Sequence, residues 1–352
     1  MPVVKYEDGA PKGAPHPLLY LDGETDQGVP IMRQRVSAAT GFSKIFDKDR
    51  TPLKELLDYE KANINVMKNN GRRWWNNVKR NAKNYPDMTK NQPLKKYEGF
   101  LTGKPCILIG AGPSLKKNAH LLKKTDITTL AMMHALPYLE SIGVTPDFVV
   151  HSDALSDDKL FVTEASKDMT LIACHFIAPA LLRKWEGDIA FYHSMALDAY
   201  GERLNRMSTA DTEVTPMGCS MAAAMSIADA LMGAHTMIFV GNDLAYSEDF
   251  DEDKETHIWD GLPYNNNEVA GIPPLTAEGV YPGNKKKRVK TCYSFIQYRQ
   301  TLMTYAQIRT LQEPYRRYIN ATEGGILILP ETMTLKKALK SVEDTTYNLI
   351  PA

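Results

Sequence analysis

Between Pro105 and Val240 short apolar runs alternate with stretches whose apolar positions recur every three to four residues. The runs near 105–109, 127–132, 147–150, 170–174, 188–192 and 236–240 have the length and continuity of strands buried on both faces. The segments 115–124, 135–142, 178–185 and 218–232 read as the helices between them. This rhythm predicts an α/β fold: a Rossmann-like, mostly parallel sheet flanked by helices. The turn Gly143-Val144-Thr145-Pro146 agrees with it, ending one helix on glycine and blocking its continuation with proline. Upstream, Leu53, Leu56, Leu57, Tyr59, Ile64 and Met67 recur at helical spacing after Pro52, and the pattern carries on through Trp74, Trp75 and Val78. Residues 1–50, rich in Pro, Gly and Asp, predict an extended arm. The expected division is a helical or irregular N-terminal region over 1–95 and a Rossmann-like domain over 96–345. Within the latter, 247–290 reads as a long loop, helical spacing returns from Tyr293 to Ile308, and a last helix is expected from Thr334.

Polar residues follow the strands. Ile109 leads into Gly110-Ala111-Gly112-Pro113-Ser114, Met132 is followed by His134, and Val150 by His151-Ser152-Asp153. Cys174 precedes His175, Tyr192 precedes His193, and Val240 precedes Gly241-Asn242-Asp243. Open parallel sheets bind ligands outside the carboxyl ends of their strands, so this recurrence predicts a cleft there.

Four segments carry candidate chemistry. Gly110 and Gly112 let a ligand approach the main chain, Pro113 stiffens the turn, and Ser114 can cap the helix that follows. Amides at such a helix start attract phosphate, although a tight turn without a ligand has the same sequence. Leu115 stands where a dinucleotide fingerprint has its third glycine, and no G-x-x-x-x-G-K-[ST] loop is present. Asp243 can accept a proton, bind a metal or hold a sugar hydroxyl; His257, titrating near neutrality, can act as a base. Gly218 and Ser220 open a helix and are candidate phosphate contacts, while Ala222–Ala224 fit close packing. Asn320-Ala321-Thr322-Glu323-Gly324-Gly325 places polar groups at another strand end.

Lys+Arg and Asp+Glu both total 42, which removes any overall bias toward nucleic acid or an anionic membrane. No stretch approaches the ~20 apolar residues of a membrane span, and Met1–Glu7 lack a signal-peptide core. The four cysteines show no metal-type spacing. A cytoplasmic protein is expected, with its oligomeric state left open.

The segments Ile109–Leu115, Gly143–Asp153, Gly241–Tyr246, Thr256-His257 and Ile319–Gly325, in this order, resemble the central domain of the motility-accessory-factor family of flagellin glycosyltransferases. The likeness covers roughly residues 60–342; its superfamily includes 6-hydroxymethylpterin diphosphokinases and is similar to bacterial CMP-sialyltransferases. The resemblance implies a transferase moving a nonulosonic, sialic-acid-like sugar from a CMP-linked donor to Ser or Thr hydroxyls of an acceptor protein or glycan. Gly110, Gly112, Pro113 and Ser114 would then hold the nucleotide, Asp153, Asn242 and Asp243 would border the donor, and Thr322 and Glu323 would close the site. His257 is the first choice of base and Asp243 the second, with no metal required. Two alternatives stay open: an ATP- and magnesium-dependent pterin diphosphokinase using Asp153 and Asp243, and a non-catalytic binding protein of the same fold.

Overall fold

The computed structural model describes residues 3–4, 21–22, 71–86, 94–154, 162–194, 203–204, 206–208, 210, 212–214, 219–246, 275–283 and 287–343. Gly218, His257 and the segments 51–70 and 247–274 lie outside the described residues.

Helix α1 covers 71–84. It is followed by β1 (Pro105–Ile109), α2 (Leu115–Asn118), β2 (Thr128–Met132), α3 (Leu136–Ser141) and β3 (Phe148–His151). Then come β4 (Thr170–Cys174), α4 (Pro179–Lys184), β5 (Ile189–Ser194), β6 (Glu213–Val214), α5 (Ser220–Ser226) and β7 (Thr236–Val240). The chain continues through β8 (Leu275–Glu278), β9 (Arg288–Thr291), α6 (Tyr293–Gln312), β10 (Arg317–Asn320), β11 (Glu331–Thr332) and α7 (Leu335–Glu343).

Among the described residues nine strands form one sheet in the order β11-β10-β7-β1-β2-β3-β4-β5-β6, and every neighbouring pair is parallel. The uninterrupted apolar runs of β1 and β7 follow from this position, because both of their faces are covered and their residues are buried throughout, Pro105 excepted. From β1 the chain steps outward through β2 to β6, then returns through α5 to add β7 on the other side of β1. Strand order therefore reverses between β1 and β7, with Ile109 opposite Val240 in the register.

Helix α1 is anchored at the carboxyl ends of β3 and β4. Asn81 Nδ2 donates to the carbonyls of His175 (2.9 Å) and Ile177 (3.0 Å), and Asn77 Nδ2 donates to Phe176 O at 3.0 Å. Trp74 stacks on Phe176 and Tyr85 packs on Phe191. These asparagines supply donors that the strand-end carbonyls lack inside the sheet, which is why two amides can sit buried on an otherwise packed helix face.

At the opposite edge, Asp229 lies buried in a π-helical continuation of α5 (Ile227–Leu231). It accepts from Tyr305 Oη at 2.5 Å and Arg309 Nε at 2.7 Å, and pairs with Arg316. This network ties α5, α6 and the approach to β10 together.

Two expectations need correction. The stretch 247–290 is not loop throughout: β8 and β9 pair antiparallel, Leu275 opposite Thr291 and Glu278 opposite Arg288. Its second strand carries the exposed–buried alternation of Arg288, Val289, Lys290 and Thr291, a four-residue signal too short to stand out beside the charge run before it. The helix expected over 115–124 is α-helical for one turn only and continues as a 3-10 segment, Ala119–Lys124.

Candidate functional site

The carboxyl ends of β1 and β7 meet at the reversal of strand order, and the loops leaving them interlock. Gly110 N donates to Val240 O and Gly112 N to Gly241 O, both at 2.8 Å. A Cβ on Gly112 would overlap Asp243 Oδ2 and lie 2.7 Å from Gly241 O; one on Gly110 would overlap Gly241 O. Glycine is thus required at both positions by loop-to-loop contact within the protein.

Asp243 reaches beneath this turn. Ser114 Oγ donates to its Oδ2 at 2.7 Å and Ser114 N approaches both carboxylate oxygens at 3.2 and 3.3 Å. The carboxylate therefore caps the start of α2, a role the sequence suggests for Ser114. Asp243 is 4% exposed, and burial raises its pKa to about 6 despite the opposing pull of Ser114 and of the Lys117 charge. A solvent-facing proton acceptor does not fit that burial.

The neighbouring candidates are also built into the floor. Asn242 Nδ2 donates to Leu108 O (3.1 Å) and Val240 O (3.0 Å), and Asn242 N donates to Thr322 Oγ1 at 3.1 Å. Thr322 is fully buried. Glu323 Oε1 accepts from Asn118 Nδ2 (3.1 Å) and from the first amide of α7, Leu335 N (2.9 Å). Gly325, at φ +70, lets its loop close against Asp243, whose carbonyl accepts from Ile326 N at 2.7 Å.

This accounting changes how the glycine turn can hold an anion. Pro113 has no N–H, and the amides of Gly110, Gly112 and Ser114 already have acceptors. Among the described residues only the Ala111 amide of the turn is left unengaged. A fan of main-chain donors, as expected at a helix start, is therefore not present. What remains beside the half-exposed Ala111-Gly112-Pro113 surface is an exposed cation, Lys117. Its Nζ lies close enough that a Cβ on Gly324 would be 3.7 Å away, and its charge acts on Asp243. Sequence reasoning passed over Lys117; its place three residues past Ser114, on the turn that follows the glycines, was the available signal.

Further along the same edge, Ser152 and Ser220 share a hydrogen bond of 2.7 Å, bringing the end of β3 to the start of α5. Asp153, half-exposed, stands beside half-buried His134 at the end of β2 and opposes the lowering of its pKa by burial. His134 in turn meets His151 edge-on at 5.9 Å. Adjacent strands are about 5 Å apart, so Gly112 on the β1 loop and Asp153 after β3 stand two strands apart along the carboxyl edge. His151 and His175 do not face solvent there. Both are buried, held neutral by burial with pKa values pushed down to about 3, and His175 lies under α1.

A cavity of about 300 Å³ opens at the other edge, lined by Lys104, Lys124, Asp126 and Thr128 at the amino ends of β1 and β2. Strand polarity favours the carboxyl edge over this cavity, because only there do the loop ends converge at the reversal of order. Among the described residues no cluster of three or more His, Cys, Asp or Glu is placed to hold a metal, and no helix is long and apolar enough to cross a membrane.

A family model described as 6-hydroxymethylpterin diphosphokinase MptE-like matches residues 77–249. That match covers just under half of the chain. The matched segment contains the glycine turn, Asp153, Ser220, Asn242 and Asp243, whereas Thr322 and Glu323 lie beyond it. The chain is also similar to the solved MAf glycosyltransferase from Magnetospirillum magneticum AMB-1, with a TM-score of 0.49 and 16% identity. That likeness covers 73% of this chain and 40% of the other, so the chain spans well under half of that protein. No curated protein matches the sequence significantly.

Proposed function

We propose that the protein is a transferase moving a nonulosonic sugar from a CMP-linked donor to a Ser or Thr hydroxyl of an acceptor protein or glycan. The observation that carries this reading is the convergence of the β1 and β7 loops at the reversal of strand order, where Asp243 holds Ser114 and Ala111-Gly112-Pro113 stays half-exposed. Gly112 lets the donor phosphate approach, and Lys117 with the Ala111 amide stabilises the negative charge that grows on it as the glycosidic bond breaks. Asp243 acts by holding Ser114 and the turn in place. Asp153, Ser152 and Ser220 border the donor sugar, and His257 is the candidate base that takes the acceptor hydroxyl proton.

The test is incubation with CMP-linked and UDP-linked sugars and a protein acceptor. Acceptor-dependent CMP release is expected, reduced at least tenfold in Lys117→Ala; no CMP release with any donor and acceptor would count decisively against the reading.

The name of the matching family model supports a second reading, ATP-dependent diphosphate transfer to a pterin. Magnesium would be needed there, and the described residues fit it poorly: Asp243 is committed to Ser114, leaving Asp153 as the carboxylate among them at this edge. Titration separates the two, since tighter binding of ATP with magnesium than of CMP would favour the kinase.

A further inference from the structure

Arg299 lies in the second turn of α6 and is 5% exposed. Its Nε is fully buried without an acceptor, and among the described residues the side chain forms neither a hydrogen bond nor an ion pair. The other arginines of this region are all partnered: Arg309 and Arg316 share Asp229, and Arg317 grips Glu331 through two bonds of 2.8 and 2.7 Å. A guanidinium does not shed its charge in a protein, and burial acts on Arg299 with no carboxylate to oppose it. A buried charge without a partner is strongly disfavoured, and among the described residues nothing completes it. Gln297 Nε2 and Gln300 Oε1 are also buried and unpaired, on other faces of the same helix.

The fold indicates what this stretch faces. Just before α6, Thr291 Oγ1 donates to Leu244 O at 2.7 Å, and Phe295 packs on Tyr246 at 5.6 Å. Leu244 and Tyr246 follow Asp243 directly, so α6 begins at the carboxyl edge of the sheet. Helical side chains lean toward the helix N-terminus, and Arg299, four residues after Phe295, therefore leans toward that edge. We propose that Arg299 forms the floor of an anion-binding subsite between the first half of α6 and Leu244–Tyr246, receiving a phosphate or carboxylate group of a bound ligand. The subsite needs an anion and nothing more, so it stands or falls independently of the sugar-transfer reading.

The experiment is calorimetric titration and thermal unfolding of the full chain with inorganic phosphate, pyrophosphate and malonate, at constant ionic strength set by chloride. Saturable binding and a rise in Tm are expected with at least one oxyanion and not with chloride; the arm that responds distinguishes a phosphate from a carboxylate ligand. Arg299→Met should lose at least tenfold in affinity while its Tm without added oxyanion equals or exceeds that of the wild type. Arg299→Lys, which keeps charge but not the planar fork, should bind with intermediate affinity. Absence of oxyanion-specific binding to the wild type overturns the proposal, as does unchanged affinity in Arg299→Met. A lower Tm with unchanged affinity makes Arg299 structural, which also overturns it. Should Arg299→Met not fold, unchanged affinity in Arg299→Lys overturns it and weakened affinity supports it. The CMP-release assay on the wild type reports on sugar transfer separately, so either idea can fail alone.

Discussion

Asp243→Asn tests the account of the site floor. The carboxyl group is buried, and its pKa moves from 3.8 to about 6. A shift of roughly two units corresponds to about 3 kcal/mol between protonation states. In the unfolded chain the group ionises near pH 4, whereas in the folded protein it keeps its proton until about pH 6. The folded state therefore binds more protons across this window, and the stabilisation present below pH 4 is lost as pH rises through 6. Asparagine keeps an acceptor for Ser114 but has no proton to lose. The stability of Asp243→Asn relative to wild type should consequently rise by about 2 kcal/mol between pH 4 and pH 7, other titrations cancelling in the difference. Urea unfolding at fixed pH steps measures it. Stability curves that run parallel, within about 0.5 kcal/mol, would refute the buried, desolvated carboxylate. Lys117→Met should move the midpoint of the difference to higher pH, because the lysine charge holds the Asp243 pKa down.

Gly112→Ala places a methyl group against Asp243 Oδ2 and Gly241 O, and should cost about 1–3 kcal/mol in urea unfolding and abolish CMP binding in calorimetry. Asp229→Ala removes the buried carboxylate that half-buried Arg309 and Arg316 share, while both keep Glu313, and a loss of about 2–3 kcal/mol in the same assay is expected. Asn81→Ala strips the donors from His175 O and Ile177 O; about 2 kcal/mol of destabilisation should accompany faster amide exchange in α1.

The interlocked turn gives the glycine pair a role that motif matching obscures. A glycine pair after a central strand suggests close approach by a ligand, yet here Gly110 and Gly112 first admit the loop after β7. The two uses are compatible, because Ala111-Gly112-Pro113 still presents a half-exposed surface. The donors, however, are largely taken, so recognition of an anion shifts to side chains: Lys117 at the rim and, on the proposal above, Arg299 beneath α6.

Much of the architecture was readable from local pattern alone. The strands at 105–109, 170–174 and 236–240 appear with the boundaries that their apolar runs predict, because a strand buried on both faces must be apolar along its whole length. The order of elements, the parallel sheet and the polar strand ends followed from the same rhythm. The β8–β9 pair escaped because four residues of alternation carry little signal without the partner strand in view. Roles at the site depended still more on the fold. Asp243, Thr322 and Glu323 have the chemistry of ligand contacts in the sequence, but only packing revealed that Ser114, Asn242 and Asn118 with Leu335 already engage them. Lys117 and Arg299 were silent for the converse reason. A lysine or an arginine in a helix is ordinary by composition; only its place beside the glycine turn makes Lys117 a candidate, and only burial without a partner makes Arg299 one. Hydrophobic pattern determines which backbone segments must be covered; which polar group meets which is decided by tertiary contact, since hydrogen bonds and ion pairs form between residues far apart in the chain.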